Sequence, residues 1–295
     1  MDGIIVVYKG EGITSHSVVS RVKRLFSASK AGHTGTLDPL ATGVLPVLIG
    51  RGVKASEFML SSDKYYLAEL TLGITTDTED ITGEVLTKSD APMPSESEVL
   101  TCIQRFVGNI RQTPPMYSAL KVGGKKLCDL AREGKTVERE PRDITVFSID
   151  AKRISDCKYS LSVHCSKGTY IRTLCADIGS ALGVGGCMSA LMRTRASVFS
   201  LEDAHTLSEI EEMSEEERFK LVVPVEQVFL DLEAVELPEF FARLAHSGLE
   251  IYLKKIGRSF AVGERVRLLD SDGFFALGEV REYPDGLAVK PIRQF

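Results

Sequence analysis

The chain has 295 residues, of which 43% are hydrophobic and 26% are charged, and its formal net charge is −5 at pH 7. This composition excludes a disordered chain, and the length allows one large domain or two domains with a sizeable core. The sequence lacks an apolar run of about 20 residues, a basic leader and a Cys-x-x-Cys pair, so we expect a cytoplasmic protein with reduced thiols, no membrane contact and no metal.

The negative charge is concentrated in one segment. Residues 200–237 contain 12 acidic and 2 basic side chains, so the other 257 residues together carry +5. A basic body is what nucleic-acid binding requires, although the average charge of the chain argues against it. We interpret its most acidic part, Glu209–Glu217, as a solvated helix or linker that faces away from nucleic acid, because it would repel phosphate.

The first part of the chain predicts alternating strands and helices. Short apolar runs predict strands over residues 4–8, 44–49 and 65–73. Between the first two, Thr14 or Ser15 can cap an amphipathic helix with a basic outer face, because a side-chain oxygen there accepts from unpaired N–H groups.

The later elements follow the same logic. Ser95 and Glu98 form a capping box that opens a helix. Residues 112–142 form a glycine- and proline-rich stretch with a short helix and 7 basic against 4 acidic side chains in 119–142. A strand over 159–165 precedes a helix, and residues 238–295 read as small strands with Asp-Gly turns. These patterns predict a mixed α/β or α+β body and a compact terminal β-barrel.

The most informative segment covers residues 32–47, where Asp38 is the single carboxylate and is flanked by small residues. Pro39 restricts the backbone of Asp38 to extended conformations, and the glycines allow close approach of a ligand. Such a loop can present one carboxylate at the floor of a pocket. An Asp-Pro turn between core elements explains the same residues equally well.

Two further segments carry candidate site residues. Arg172 lies where a predicted strand gives way to a helix, and there it can hold a carboxylate by a charge-assisted pair, although a solvated arginine is the simpler interpretation. Tyr66 follows Lys64 at a strand start, where a half-buried aromatic is equally plausible.

Together with Gln-Thr-Pro-Pro-Met-Tyr-Ser-Ala-Leu-Lys at 112–121 and residues 191–193, these segments resemble the bacterial tRNA pseudouridine synthase B family, the tRNA pseudouridine-55 synthases. The combination of Gly-x-x-Gly-Thr-Leu-Asp-Pro with the proline-rich string is highly specific. The resemblance implies an α+β pseudouridine synthase fold, with a mixed, mainly antiparallel central sheet flanked by helices. It divides the chain into a catalytic domain over 1–237, with a thumb-like insertion at 112–142, and a PUA-like RNA-binding β-barrel over 238–295.

The resemblance also implies the reaction, which is conversion of the T-loop uridine, position 55 of tRNA, to pseudouridine without cofactor or guide RNA. Asp38 matches the nucleophile, Arg172 the residue that pairs with it, and Tyr66 the residue that stacks on the target base and is the candidate for the final proton transfer. Attack at C6, attack at C1′ and assisted loss of the base all stay open.

The remaining matches concern substrate binding. The uridine must be flipped out of the T-loop at a cost of roughly a few kcal/mol. His33 matches the residue that fills the space the flipped bases leave, although a buried structural histidine is the alternative. Tyr170 and Leu191 match residues of the uracil pocket. The other candidate substrate contacts are Lys9, Thr34, Gly35, Leu37, Lys64 and Lys121.

Three functions remain in view. A stand-alone tRNA uridine isomerase, a monomer that needs no protein partner, agrees with the insertion at 112–142. The second is the catalytic subunit of a guide-RNA particle. The insertion at 112–142 argues against this function, because related subunits of this kind lack it, and so does the absence of the lysine-rich tails that they carry. A non-catalytic RNA-binding or RNA-folding protein is the third, and the intact Asp38, Tyr66 and Arg172 argue against it.

Overall fold

The computed structural model describes the backbone of all 295 residues and every side chain except those at positions 121 and 126. The helices are α1 (Ser15–Leu25), α2 (Ser56–Leu60), α3 (Glu96–Gln104), α4 (Leu127–Arg132), α5 (Ile171–Ala181), α6 (Leu207–Glu212), α7 (Glu215–Lys220) and α8 (Glu239–His246). The strands are β1 (Gly3–Lys9), β2 (Ala31–His33), β3 (Thr42–Ile49), β4 (Lys64–Leu72), β5 (Ile74–Thr76), β6 (Val85–Lys88), β7 (Gly108–Gln112), β8 (Lys121–Val122), β9 (Lys125–Lys126), β10 (Arg142–Arg153), β11 (Lys158–Cys165), β12 (Gly186–Ala196), β13 (Phe199–Ser200), β14 (His205–Thr206), β15 (Ala234–Glu236), β16 (Ile251–Tyr252), β17 (Arg265–Asp270), β18 (Gly273–Tyr283) and β19 (Gly286–Gln294).

A ten-stranded sheet forms the body, in the order β14-β1-β3-β12-β4-β11-β10-β7, with β2 beside β3 and β13 beside β12. The pairs β1–β14 and β3–β12 are parallel, and the other pairs of this sheet are antiparallel. The prediction of a mixed, mainly antiparallel sheet with flanking helices is therefore confirmed.

Alternation along β1 shows how the two faces of this sheet are covered. Ile5 and Val7 point into a core that α1, α3 and α5 close from one side. Ile4 and Val6 point the other way, into a second core that includes Phe229 and residues of the terminal sheet. Because side chains alternate with a period of two, a short apolar run in the middle of the sheet serves both cores.

Local capping accounts for the helix starts that the sequence predicts. The Thr14 side chain accepts the N–H of Ser17 at the start of α1, and Ser95 and Glu98 form the predicted capping box. The acidic segment forms α6 and α7, each opened by its own capping box, so some of its glutamates lie at helix N-termini where negative charge is favourable.

The terminal unit is a five-stranded sheet in the open order β15-β17-β18-β19-β16. The turns at Gly273 and Gly286 have positive φ, as the Asp-Gly signals predict. Within the described backbone no pairing joins β15 to β16, so closure into a barrel stays a prediction. The strand β15 already belongs to this sheet, four residues before the expected boundary at 238. None of the helices in the part of the chain described is long and apolar enough to cross a membrane.

Candidate active site

The loop that carries Asp38 lies between β2 and β3 and is fixed by α1. The Ser15 hydroxyl donates to the carbonyl of Leu37 at 2.9 Å and accepts the Leu37 N–H at 2.8 Å. Leu37 itself is buried, and the Ala41 N–H donates to the Asp38 carbonyl. The backbone on both sides of Asp38 is thereby held, while 36% of the carboxylate side chain remains exposed.

Lys9 supports the same loop from behind. Its side chain is fully buried, and its ammonium donates to the carbonyls of Gly10 at 2.8 Å, Pro39 at 3.2 Å and Ala41 at 2.5 Å. Burial lowers the pKa of Lys9 to about 8, and the nearby Asp38 charge acts in the opposite direction. The ammonium of Lys9 therefore serves as the hydrogen-bond donor for three loop carbonyls and does not face outward.

We expect Lys9→Met to destabilise the fold by about 1–3 kcal/mol, because buried loop carbonyls lose their donor. Thermal and denaturant unfolding measure the change. Lys23→Met is the matched control, since Lys23 is exposed on α1. Equal stability of the two variants would contradict the supporting role of Lys9.

Arg172 joins two carboxylates that are far apart in the sequence. Its Nε lies 3.0 Å from Asp38 Oδ2, and its Nη1 lies 3.5 Å from Asp80 Oδ2. Its guanidinium also donates to the carbonyls of Thr78 at 3.0 Å and Tyr117 at 2.8 Å. Only 6% of this side chain is exposed, so the planar group is locked in one orientation and tied to the insertion at 112–142.

The environment raises the pKa of Asp38 above its ordinary value. Burial is the largest cause, because it disfavours the charged form, and the negative charge of Asp80 adds to it. The charges of Arg172 and Lys9 oppose this rise. The site therefore holds a carboxylate that is partly desolvated and fixed in direction by Arg172.

Tyr66 projects from β4 opposite Arg193 of β12, on the face of the sheet that α1 and α5 cover. Arg193 is almost fully buried and donates to the carbonyls of Val44 at 2.8 Å and Gly35 at 3.1 Å. Burial raises the pKa of Tyr66, and the Arg193 charge opposes that rise. Arg193 thus connects the Asp38 loop, the centre of the sheet and the phenol of Tyr66.

Gly43 shows how closely these elements approach. A Cβ at this position would lie 2.2 Å from the carbonyl oxygen of Arg193, and the φ of +102° also favours glycine. The glycine therefore permits the parallel pairing of β3 with β12 that brings Arg193 beneath the loop.

Known proteins share this chain's sequence and fold. Residues 23–171 match the model described as the TruB family pseudouridylate synthase N-terminal domain, and residues 172–230 match the tRNA pseudouridylate synthase B C-terminal domain. The chain belongs to the TruB family. It is therefore a pseudouridine synthase, an isomerase.

Individual TruB relatives match most of the chain. The protein named tRNA pseudouridine synthase B of Clostridium tetani (strain Massachusetts / E88) is 42% identical over 279 residues, covering 95% of this chain and 96% of that protein. The protein of the same name from Saccharophagus degradans (strain 2-40 / ATCC 43961 / DSM 17024) is 41% identical over 290 residues, covering 96% of this chain and 93% of that protein.

Solved structures show the same fold. A chain in the crystal structure of a Cbf5-Nop10-Gar1 complex superposes with a TM-score of 0.73 at 28% identity, covering 99% of this chain and 84% of that one. A chain in an H/ACA RNP bound to a substrate RNA containing 2′-deoxyuridine gives a TM-score of 0.72 at 26% identity, covering 99% and 84%.

Several other residues that the TruB resemblance selects lie on segments that adjoin the Asp38 loop or Arg172. Tyr170 directly precedes α5. The Tyr170 N–H donates to Gln112 Oε1 at 2.8 Å, and the Tyr170 carbonyl accepts from Gln112 Nε2 at 3.0 Å. Leu191 is buried on β12, two residues before Arg193. His33 accepts the Gly35 N–H at its Nδ1, and burial lowers the pKa of His33, which favours a neutral ring. Thr34 is buried in the loop.

Other predicted contacts are placed differently. The Lys64 ammonium is buried against the end of α2, where it donates to the carbonyls of Met59, Leu60 and Ser62. Like Lys9, Lys64 therefore forms hydrogen bonds with backbone carbonyls, and its ammonium does not point toward Asp38. Lys121 lies outside the described side chains. Within the described residues, no cluster of three or more His, Cys, Asp or Glu side chains could hold a metal ion.

Sequence reasoning missed Asp80 and Arg193 as site residues. Asp80 lies in a threonine-rich turn and accepts from Thr82 and Thr78, which in sequence is an ordinary turn signal. Arg193 lies at the end of a matching string, residues 191–193. Its strand also carries Ser189, Thr194 and Arg195, so no local pattern singles out Arg193.

Proposed function

We propose that this TruB enzyme converts the uridine at position 55 in the T-loop of tRNA to pseudouridine, with Asp38 as the nucleophile. The observation that carries the proposal is the fixed Asp38 carboxylate, which is paired with Arg172 at 3.0 Å and has 36% of its side chain exposed. The names of the relatives, tRNA pseudouridine synthase B, support tRNA as the substrate. Base flipping brings the uridine to the carboxylate.

The reaction rearranges one nucleotide and conserves its atoms. The N1–C1′ bond breaks, the uracil turns, C5 joins C1′, the C5 proton leaves and N1 is protonated. An ionised Asp38 supplies an electron pair to the base or the sugar, and the Arg172 guanidinium keeps the carboxylate ionised and aimed. The charge of Arg172 is preorganised, because Asp80 and two backbone carbonyls hold it in place.

Tyr66 and its neighbours are proposed to hold the flipped base. The raised pKa of Tyr66 keeps its phenol protonated, so stacking is its principal role. As a proton acceptor it would depend on Arg193, whose charge opposes the rise. Tyr170 and Leu191 complete the pocket, and the neutral ring of His33 fills the space that the flipped bases leave.

We further propose that two segments outside the pocket bind the RNA backbone. The insertion at 112–142 closes on the T-stem, since its basic excess favours phosphate contacts. Residues 238–295 form a PUA-like RNA-binding domain beside a catalytic domain over 1–237. The enzyme acts as a monomer without protein partners. The similar structure was solved as a Cbf5-Nop10-Gar1 complex, so activity of this chain without protein partners is tested directly.

That test is release of tritium from C5-labelled uridine in a T-arm stem-loop RNA. The purified chain alone is expected to release one tritium per target uridine, because C5 exchanges its hydrogen for a bond to C1′. A labelled stem-loop with cytidine at the target position is the control. No release without an added guide RNA or protein would show that the chain is a subunit and refute the stand-alone function.

The pH dependence tests the charge arrangement. Catalysis requires ionised Asp38, and its pKa lies above the ordinary 3.8, so the acid limb of kcat/KM lies above that pH. Asp80→Asn removes a negative charge that disfavours ionisation. The Asp38 pKa therefore falls, and we expect the acid limb to move to lower pH, with a lower plateau because Arg172 loses an anchor. An unmoved limb would contradict this coupling.

A further inference from the structure

A cavity lies at the junction of the two sheets and takes no part in the proposed reaction. This junction cavity has a volume of about 610 Å³, within the range of small-molecule sites. Residues of the body and of the terminal unit line it together, among them Phe58, Tyr65, Arg195, Phe229, Arg265 and Leu277.

The junction cavity lies on the opposite face of the large sheet from Asp38. Tyr65 and Tyr66 are neighbours on β4, so their side chains point to opposite faces. Tyr66 packs against the core beneath α1 and α5, whereas Phe58, Phe229 and Leu277 belong to the core between the two units. A ligand in the cavity would therefore not reach the reacting base.

Two arginines, one from each unit, border the junction cavity and rest on aromatic rings. The Arg195 guanidinium carbon lies 5.7 Å from the centroid of Tyr65, and that of Arg265 lies 5.8 Å from the centroid of Phe58. A guanidinium packed on a ring keeps its edge N–H groups for an anion. Stacking of Tyr65 on His164, at 4.0 Å and 9°, fixes the first ring in place.

The donors of Arg195 are available for a ligand. Its Nε donates to the Ser197 carbonyl at 3.1 Å, and among the described side chains no carboxylate lies within ion-pair distance of its guanidinium. Arg265 is paired with Glu279 at 3.6 Å, whereas the exposed Arg195 forms no direct ion pair among the described side chains, although the carboxylates of Asp63 and Asp231 line the same cavity. This combination favours an anionic group at Arg195.

The rest of the lining selects the ligand further. Phe58 and Phe229 meet edge to face at 5.4 Å and form an apolar wall. Gln227 and the carboxylates of Asp63 and Asp231 add acceptors for the N–H groups of a base, and neither carboxylate is paired with Arg195. An inorganic anion would make no apolar contact with Phe58 and Phe229, and a purely apolar ligand would leave the N–H groups of Arg195 without an acceptor. We propose that the junction cavity binds a nucleotide, with its phosphate at Arg195 and Arg265 and its base against Phe58 and Phe229.

Calorimetric titration with UMP, AMP and single-stranded pentauridylate and pentaadenylate tests the proposal on the full chain. We expect at least one probe to bind, and Arg195→Glu and Arg265→Gln each to weaken it by about tenfold or more. Arg243→Ala, an exposed arginine on α8, should bind as the wild type does. Thermal melting checks that each variant is folded.

Tyr66→Ala separates the junction cavity from the active site, and it should leave the affinity of the probe unchanged. Binding of mononucleotides would identify free nucleotides as the ligand, and binding of the pentanucleotides alone would identify an RNA strand. The proposal is overturned if no probe binds, if both arginine variants bind as tightly as the wild type, or if Tyr66→Ala weakens binding as much as they do. None of these outcomes depends on activity at Asp38.

Discussion

Asp38→Asn is expected to reduce kcat for pseudouridine formation by roughly 10⁴-fold or more, the scale of loss when an enzyme loses its nucleophile. The asparagine keeps the shape and polarity of the side chain but cannot supply the electron pair of a carboxylate. Single-turnover tritium release measures the chemical step, and filter binding with the same stem-loop measures affinity.

RNA affinity should persist in Asp38→Asn, because the proposed phosphate contacts lie in the insertion at 112–142 and in the terminal unit. Asp143→Asn is the matched control, since its side chain is 92% exposed and it lies away from the loop. It should retain full activity. Near-wild-type turnover in Asp38→Asn would remove Asp38 from the nucleophile role, whereas loss of RNA binding would assign it to substrate affinity.

Arg172→Lys is expected to lower kcat by roughly 10²-fold or more, because an ammonium cannot reproduce the planar fork. The guanidinium contacts Asp38, Asp80 and the carbonyls of Thr78 and Tyr117 together, and a lysine head cannot reach all four with one geometry. The expected signature is a fall in kcat with a smaller change in KM, since the RNA backbone contacts remain.

Arg172→Ala should also destabilise the fold, by about 3–5 kcal/mol, because it leaves two carboxylates near each other without the buried cation between them. Denaturant unfolding measures this loss at neutral pH. Arg243→Ala, which breaks an exposed i,i+4 pair, should lower the free energy of unfolding far less.

If Arg172→Lys turned over at the wild-type rate, the planar guanidinium of Arg172 would have no catalytic importance.

Most secondary structure follows from local signals in the sequence, such as helix caps and turn residues. Thr14 or Ser15, and Ser95, predict helix starts because such side chains satisfy backbone N–H groups, and the caps in the structure are Thr14 and Ser95. The Asp-Gly turns at 273 and 286 predict hairpins because glycine adopts positive φ without strain. The barrel closure and the boundary at 237 stay predictions, because both depend on contacts between strands distant in the chain.

Two lysines show the limit of local reasoning. Lys9 and Lys64 are both predicted to contact substrate, and Lys64 lies inside a string that matches the family. In the structure each ammonium is buried against three backbone carbonyls. A motif reveals that a residue lies near a site, but it does not show whether the side chain points toward the substrate or supports the loop from behind.

The sequence by itself determined the family of this protein. The strings that contain Asp38, Tyr66 and Arg172 resemble the TruB family, and the family matches confirm that resemblance. Their roles stay predictions, which the resemblance could suggest because each residue lies in a short contiguous string.

Only the tertiary structure decided what surrounds the carboxylate. Pairing of β3 with β12, which Gly43 permits, places Arg193 beneath the loop, and the turn after β5 brings Asp80 to the far side of Arg172. The pKa of Asp38 rises through burial and through the charge of Asp80, and both depend on distances between segments that are remote in sequence. Electrostatic energies follow distance and solvent exposure, and only the folded chain defines these quantities.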